Sequence, residues 1–462
     1  MKIAFTTLGC KVNQYETQAL REMFALRGFT VVPEDAPADV CVVNTCSVTN
    51  LSDRKSRQAL RRFRRDNPGA LVVAVGCYAQ TGTEALSEMK EVDLIAGTNQ
   101  KSLLPQLVER SLAERGKIRS EKKDTHGDKS KAGSRPLVQV MERQALVDFE
   151  DLGRIEAMEG RTRAYVKIQE GCDRFCSYCI IPYARGPVRS RSQEEILKEV
   201  RLLAERGYPE IVLTGINTAL YGGEEAVKRG ERIHSHLRDL MGKIEELPGD
   251  FRIRLGSLEP TVIDRDYVKE LLVYERLCHH LHLSVQSGSD RILRAMNRRY
   301  SIGEYRGIVE LLKNFDPHFG ITTDIIVGFP GESDEDFEQS LQLAREVDFS
   351  RIHVFRYSRR KGTAADRMRE QIPSPEKQRR SALLSQASRE SARRFLMGNS
   401  GQIRKVILEE KDQKLGMFSG LTDNYIKVYV KEEALREEEA LHRPKNVKLQ
   451  EPFLDGMAGI LI

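Results

Sequence analysis

Gly171-Cys172-Asp173-Arg174-Phe175-Cys176-Ser177-Tyr178-Cys179 is the stretch around which this chain is organised. Three thiols at CxxxCxxC spacing follow a strand-like run, Tyr165 to Gln169, and a loop this short can fold all three sulfurs onto one metal cluster. Three ligands are one short. Structural zinc takes four closed ligands and 4Fe-4S clusters usually take four thiolates, so a trio with no fourth Cys nearby leaves one metal position open for chemistry. A zinc clip with a distant fourth ligand, or three reduced bystander thiols, are the plainer alternatives.

Downstream of Arg163 a strand-then-helix rhythm repeats, with strands expected at Tyr165 to Gln169, Glu210 to Thr214, Arg252 to Leu255, His280 to Val285, Ile321 to Val327 and Arg351 to Phe355. Six βα units predict a parallel sheet. Polar or Gly residues follow the strands, as in Gly215-Ile216-Asn217, Gly256-Ser257-Leu258-Glu259-Pro260 and Gln286-Ser287-Gly288, at the edge where parallel barrels build their sites. Upstream, residues 1–115 alternate apolar runs (Lys2 to Leu8, Val40 to Thr45, Leu71 to Gly76, Asp93 to Gly97) with amphipathic segments, which predicts an open parallel sheet covered on both faces. Cys10, Cys46 and Cys77 each follow one of these strands, so three thiols distant in sequence are expected at one carboxyl-end rim, where open α/β sheets bind ligands. Cys is also a common buried residue, and Cys41 and Cys278 are read in that way.

The 462 residues predict about three domains. No run of 18 apolar residues exists, and the apolar start is too short for a signal peptide, so neither membrane span nor export is expected. Eight Cys in such a chain argue for metal ligation over disulfides. The balance of 74 Lys+Arg against 68 Asp+Glu permits a nucleic-acid partner without requiring one. After Cys46, Arg54, Lys55, Arg57, Arg61, Arg62, Arg64 and Arg65 stand on one predicted helix, either tracking a phosphate backbone or forming a solvated face. Gly116 to Arg135 reads as a linker, and Leu137 to Glu159 as a lead-in packed on the next domain.

The central stretch resembles the radical S-adenosylmethionine (SAM) signature, CxxxCx(aromatic)C, with Tyr178 at the aromatic place. The resemblance implies that Cys172, Cys176 and Cys179 hold a 4Fe-4S cluster whose open iron is chelated by SAM. It also implies a partial (β/α)6 barrel whose rim cradles SAM, with Tyr178, Gly215, Glu259 and Gln286 as candidates. Thr7-Leu8-Gly9-Cys10-Lys11-Val12-Asn13-Gln14-Tyr15-Glu16, Asn44 to Thr49 and Val75-Gly76-Cys77 resemble the amino-terminal domain of the methylthiotransferases, which implies a second, auxiliary 4Fe-4S cluster on Cys10, Cys46 and Cys77. The Gly-Cys-Lys-Val-Asn-Gln-Tyr-Glu version resembles the members acting on N6-threonylcarbamoyladenosine in tRNA. Gly416 to Tyr425 resembles the TRAM domain, an RNA-binding β-barrel. Residues 400–462 carry 10 Lys+Arg against 11 Asp+Glu, so such a barrel would bind RNA through a local patch or by stacking of Phe418 and Tyr425, or serve as a lid or structural cap.

The expected organisation is therefore α/β: an amino-terminal parallel-sheet domain (1–115), linker and lead-in (116–157), radical SAM core (158–390) and a small all-β TRAM barrel (391–462). The resemblance implies a cytoplasmic enzyme that methylthiolates carbon 2 of the modified adenosine, one SAM methylating a sulfur and a second supplying the radical. A tRNA substrate, an electron donor such as flavodoxin or ferredoxin, and a sulfur donor follow. No side chain is assigned a catalytic role: there is no Ser/His/Asp set, HExxH or Walker loop, and an unactivated aromatic C–H calls for a radical rather than a base. Isopentenyladenosine in tRNA is the alternative substrate, and a non-catalytic iron-sulfur RNA-binding protein the alternative class.

Overall fold

Val40–Thr45 and Leu71–Gly76 are apolar along nearly their whole length and buried at every position, the pattern of strands covered on both faces. A computed structural model of the chain describes residues 1–121, 135–158, 161–229, 236–431, 441 and 443–462. They form two compact bodies: Met1–Ile155 with Glu170–Asp173 and Cys179–Arg189, and Glu156–Gln169 with Arg174–Tyr178 and Ser190–Ile462.

In the first body the strands lie in the order Thr30–Val32, Lys2–Thr7, Val40–Thr45, Leu71–Gly76, Leu94–Ala96, Leu137–Gln139, all parallel. Alternation of side chains along a strand splits the core in two. Cys41, Val43, Val72 and Ala74 pack with Leu60 and Phe63 of helix Asn50–Asp66, whereas Val40, Val42, Val73 and Val75 pack with Leu20 and Phe24 of helix Lys11–Leu26 and Leu104 of helix Leu104–Glu121. Two expectations change here. Leu137–Gln139 pairs with Leu94–Ala96 as the sixth strand, so the start of the lead-in joins this sheet, and helix Leu104–Glu121 runs past residue 115 into the segment read as linker. The rest of the linker, 122–134, lies outside the described residues.

The second body holds the βα repeat. Arg163–Lys167, Glu210–Thr214 and Arg252–Leu255 pair in parallel, as do Ser257–Leu258, His280–Leu283, Gly320–Val327 and Arg351–Arg356. The last 60 residues close a five-stranded barrel, Ile403–Asp412, Met417–Thr422, Lys427–Lys431, Gly456–Leu461 and Pro444–Phe453, around Val406, Leu408, Phe418, Val428, Val447 and Leu449.

This barrel docks on the amino-terminal ends of the parallel strands. Arg254 is fully buried, grips Glu210 through Nε and Nη2 at 2.8 Å each, and donates to the carbonyls of Asp423 (2.9 Å) and Thr422 (3.1 Å). Tyr425 is sandwiched between the His280 ring (4.5 Å) and the Arg254 guanidinium (4.8 Å). At Gly320 a Cβ would stand 2.1 Å from the Asn424 carbonyl oxygen, so the approach admits no side chain. The stacking expected of Phe418 and Tyr425 on RNA is therefore corrected: Phe418 is wholly buried in the barrel core, and Tyr425 is already stacked. A lid over the carboxyl-end rim is excluded too, since the docking edge is the opposite one.

Burial would raise the Glu210 carboxyl, but Arg254, Arg252 and Arg163 overcome it and hold it well below the usual carboxylate range. A carboxylate depressed on folding contributes stability that is complete above its unfolded pKa, about 4.3, and is lost as pH falls below that. Arg254→Met strips a buried carboxylate of its bidentate partner and is expected to cost about 3–5 kcal/mol. Denaturant unfolding, together with faster proteolysis between the βα repeat and the terminal barrel, checks this; an unchanged midpoint refutes the docking role.

Candidate active site

The strand order of the first body reverses beside Lys2–Thr7, whose neighbours are Thr30–Val32 on one side and Val40–Thr45 on the other. Crevices at such reversals, outside the carboxyl ends, are where open α/β sheets bind ligands. Cys10 follows the first of these strands, Cys46 ends Val40–Thr45 and Cys77 ends Leu71–Gly76. Cys10 is exposed, and Cys46 and Cys77 are buried. The three thiols lie within electrostatic reach of one another: Cys77 feels Cys46 and Cys10, and Cys10 feels Cys46. Gly9 stands at φ +107°, and a Cβ there would lie 3.0 Å from Cys46 Cβ and 3.1 Å from its Sγ, so the approach of the two loops requires glycine.

Asn13 ties these loops together. Its Nδ2 donates to the carbonyls of Leu8 (2.7 Å) and Thr45 (3.1 Å), and its backbone carbonyl accepts from Asn44 Nδ2 (3.0 Å). Into this rim comes Arg185, six residues beyond Cys179 and wholly buried. Its Nε lies 3.1 Å from Cys77 Sγ, its Nη2 donates to Asn13 Oδ1 (2.6 Å), and its Nη1 reaches Glu16 (2.9 Å) and Glu170 (2.6 Å). Lys101, also without exposure, adds a second cation 3.4 Å from Glu16. Burial pushes the Cys77 thiol up to about 12, with Arg185 opposing it. The chemistry of the donor set suits a metal cluster: three sulfurs at one rim, with a cationic donor to one of them that favours thiolate over thiol.

In the central motif, Cys172 and Cys179 belong to the first body and Cys176 to the second. Within the second body Ser177 is fixed on both sides, its N donating to the Met296 carbonyl (3.0 Å) and its own carbonyl accepting from Ala365 N (2.7 Å). Tyr178 packs against the cluster of Ile292, Met296, Ile326 and Phe329, and its OH accepts from Arg298 Nη2 at 2.9 Å. Arg298 Nη1 grips Glu259 at 2.6 Å, and Asn217 Nδ2 and Thr261 Oγ1 donate to the same carboxylate at 3.0 and 2.9 Å. Burial raises the Cys176 thiol, with Arg298 opposing. Gly215 lies beside Gln169, whose Oε1 accepts from the backbone N of Ile216 and Asn217, both at 3.0 Å. Gln286 adopts φ +68°, an unusual conformation for a residue with a side chain, and its backbone bonds to the Asp324 carbonyl and the Ile326 amide. Tyr178 and Glu259 are thus joined through Arg298, a residue that sequence reasoning missed. Arg185 was missed likewise: nothing local distinguishes a buried arginine from a surface one. Cys41 and Cys278 are buried packing residues.

The basic helix is less available than its sequence promises. Arg64 is tied to Asp93 and to the Ala70 carbonyl, Arg62 to Glu34, Arg61 to Glu91 and Arg57 to the Tyr78 hydroxyl. Arg54, Lys55, Arg61 and Arg65 are exposed.

Residues 2–97 match the Uncharacterized protein family UPF0004 and residues 166–344 the Radical SAM superfamily. The chain is 38% identical to a Threonylcarbamoyladenosine tRNA methylthiotransferase MtaB of Aquifex aeolicus (strain VF5), over 93% of this chain and 96% of the relative. It belongs to the radical SAM tRNA methylthiotransferases. A protein of the same description from Bacillus subtilis (strain 168) is 37% identical over 93% of this chain and 90% of its own length. A tRNA-2-methylthio-N(6)-dimethylallyladenosine synthase of Carboxydothermus hydrogenoformans is 33% identical, covering 88% of each. In fold, this methylthiotransferase resembles the radical S-adenosylmethionine methyltransferase TsrM of Kitasatospora setae, solved with cobalamin and a [4Fe-4S] cluster bound, at a TM-score of 0.56 and 14% identity over 79% of this chain and 76% of that one. Among the described residues no helix is long and apolar enough to cross a membrane.

Replacing Arg185 by Met leaves Glu16 and Glu170 buried without their shared partner. The metal-free, reduced chain is expected to lose about 3–5 kcal/mol, measured by chemical denaturation of the first body's signal. Arg185→Lys should restore little, because one ammonium cannot serve four acceptors in a plane. Wild-type stability in the Met variant would show the network to be dispensable.

Proposed function

We propose that this enzyme methylthiolates carbon 2 of N6-threonylcarbamoyladenosine beside the tRNA anticodon, with two SAM molecules and two 4Fe-4S clusters, one on Cys172, Cys176 and Cys179 and an auxiliary one on Cys10, Cys46 and Cys77. The observation that carries this reading is the meeting of the last three thiols at one rim with the Arg185 Nε hydrogen aimed at Cys77 Sγ. A cluster held by Cys172, Cys176 and Cys179 would supply the electron for reductive cleavage of SAM to methionine and a 5′-deoxyadenosyl radical, which could take hydrogen from an aromatic carbon. The chain's own residues position and insulate. Gly9 and Asn13 hold the two cysteine loops together, and Arg185 supplies positive charge and a hydrogen bond where thiolate charge gathers. Arg298 holds Tyr178 and Glu259 in one arrangement at the edge where Gly215 and Gln286 also lie, and these four are the proposed SAM contacts.

The choice of substrate is supported by the relatives named for threonylcarbamoyladenosine. Asn13 and Glu16, from the stretch that carries the subfamily resemblance, build the cysteine rim, so that stretch supports a way of holding the cluster more than a contact with the nucleoside. The reductant, such as flavodoxin or ferredoxin, the sulfur donor and a cytoplasmic location complete the reading. Mass spectrometry of nucleosides from tRNA of a host lacking the gene, with and without this chain, tests the substrate. Methylthio-threonylcarbamoyladenosine is expected, and methylthio-isopentenyladenosine in its place would move the assignment to the other nucleoside.

The two thiol sets should separate in function. Cys10, Cys46 and Cys77 all changed to Ala should leave about half the iron, keep release of 5′-deoxyadenosine and abolish the methylthio product. The matching change of Cys172, Cys176 and Cys179 should abolish both. Undiminished 5′-deoxyadenosine from the second variant would sink the assignment. Gly9→Ala, which presses a methyl group on Cys46, is expected to lower iron content toward that of the first variant.

A further inference from the structure

His282, Asp324 and His353 stand on three neighbouring strands of the second body and take no part in the site above. Parallel register sets His282 beside Thr322 and Asp324 beside His353, and the two-residue pleat puts Thr322 and Asp324 on the same side, so all three share one face. The other face carries Leu281, Leu283, Ile321 and Ile325, each with no exposure. The histidine face is the open one: the side chains of His282 and Asp324 keep 15% and 25% of their exposure, and His353 is exposed. One nitrogen of each histidine and one Asp324 oxygen all lie within 4.8 Å of one another.

The hydrogen bonds behind this face determine which atoms point into it. Thr322 Oγ1 lies 2.9 Å from His282 Nδ1 and 3.0 Å from His280 Nε2. A hydroxyl has one hydrogen, so when it donates to His280 it accepts from His282 Nδ1–H. The His282 lone pair is then on Nε2, 3.2 Å from Asp324 Oδ2; when Thr322 donates to His282 instead, Nε2–H donates to that oxygen. A divalent ion selects the first arrangement, in which the nitrogen lone pair and the carboxylate face it together. Ser284 Oγ, 3.0 Å from the nitrogen and 3.1 Å from the oxygen, donates to Asp324 and can accept from a protonated Nε2, so it lines the same pocket.

We infer that His282 Nε2, the Asp324 carboxylate and one nitrogen of His353 form a binding site for a divalent first-row transition ion. Two imidazoles and a carboxylate are the donors such ions take, and three protein ligands leave coordination positions open toward the uncovered face. Bond lengths of about 2.0–2.2 Å place ligand atoms of one ion roughly 3–4 Å apart. The closure this requires is small, and rotation of the exposed His353 side chain supplies it. Thr322 holds the His282 ring from behind, as partners of metal-bound imidazoles do. Just above, the Gln286 amide donates to the Asp324 carbonyl at 2.8 Å, so the open positions lie next to the rim already described and suit an anionic oxygen that enters there. The inference rests on these distances and not on which nucleoside is modified.

Zinc is the probe. Holoprotein with its clusters in place is equilibrated anaerobically with buffered micromolar Zn2+, separated from free metal, and analysed for zinc and iron together. One zinc per chain beyond the iron is expected. His353→Ala, a substitution at an exposed position, should weaken zinc binding at least 10-fold at unchanged iron content, as should His282→Ala and Asp324→Asn. Thr322→Val, which keeps all three ligands, should weaken it by about 10–100-fold. No zinc above the buffer blank, or equal zinc in the His282→Ala/His353→Ala double variant, overturns the site.

Discussion

A guanidinium with no contact with water has to find both its counter-charge and its hydrogen-bond acceptors inside the protein, and Arg185 finds them in Glu16, Glu170, Asn13 and Cys77. An isolated charge in such a place costs several kcal/mol, so every partner is held in position by the arginine as firmly as it holds the arginine. The helix that begins just after Cys10 must present Asn13 and Glu16 on one face, and Cys77 must open its own helix at the end of Leu71–Gly76. Glu170 and Arg185 lie on either side of the CxxxCxxC motif, and both pack with the first body. Arg185, six residues beyond Cys179, thus reaches a member of the other thiol set, Cys77.

The second body repeats the device with Arg298, which joins Tyr178 of the motif to Glu259 at the end of a strand. In both places a buried arginine sits beside a cysteine thiol that burial alone would keep protonated, and in both its charge opposes burial. Glu259 is held by Arg298, Asn217 and Thr261, so whatever it offers a ligand is offered by a carboxylate already fixed in place.

Long apolar runs were enough to place the central strands of the first body. Val40–Thr45 and Leu71–Gly76 were read at the limits observed, because uninterrupted apolar runs between polar punctuation have few alternatives. Thr30–Val32 and Leu137–Gln139 were not read as strands, because edge strands of three residues are half-exposed and too short to show a period. The positions of Cys10, Cys46 and Cys77 at strand ends were legible because strand ends are one-dimensional facts. Arg185 and Arg298 were not, since their partners come from elsewhere in the chain and an arginine just before Gly186 or just after Asn297 ordinarily reads as surface. Phe418 and Tyr425 show the same limit in reverse: an aromatic in a β-barrel segment reads equally as a stacking platform or as core, and only the strand register decides that Phe418 faces inward.

The terminal barrel's lack of cationic excess has a physical reading once its docking is known. The cations at its base act on the protein itself. Arg404 pairs with Asp316 and Asp423, Arg163 reaches out from the βα repeat to Glu409, and Arg252 and Arg254 donate to backbone carbonyls at the end of Met417–Thr422. One acid of the barrel, Glu409, thus faces an arginine at the base of the parallel strands, whereas Asp423 is paired within the barrel with Arg404. Arginines that grip backbone carbonyls need no acids opposite them, and a count of charged residues does not reveal such contacts. Net charge therefore says little about what such a barrel binds. The charge that matters for a phosphate backbone is whatever stands exposed and unneutralised, and on the helix Asn50–Asp66 the partners of Arg57, Arg62 and Arg64 leave Arg54 and Lys55 at its amino-terminal end with more of that role than seven neighbouring cations in the sequence would have implied.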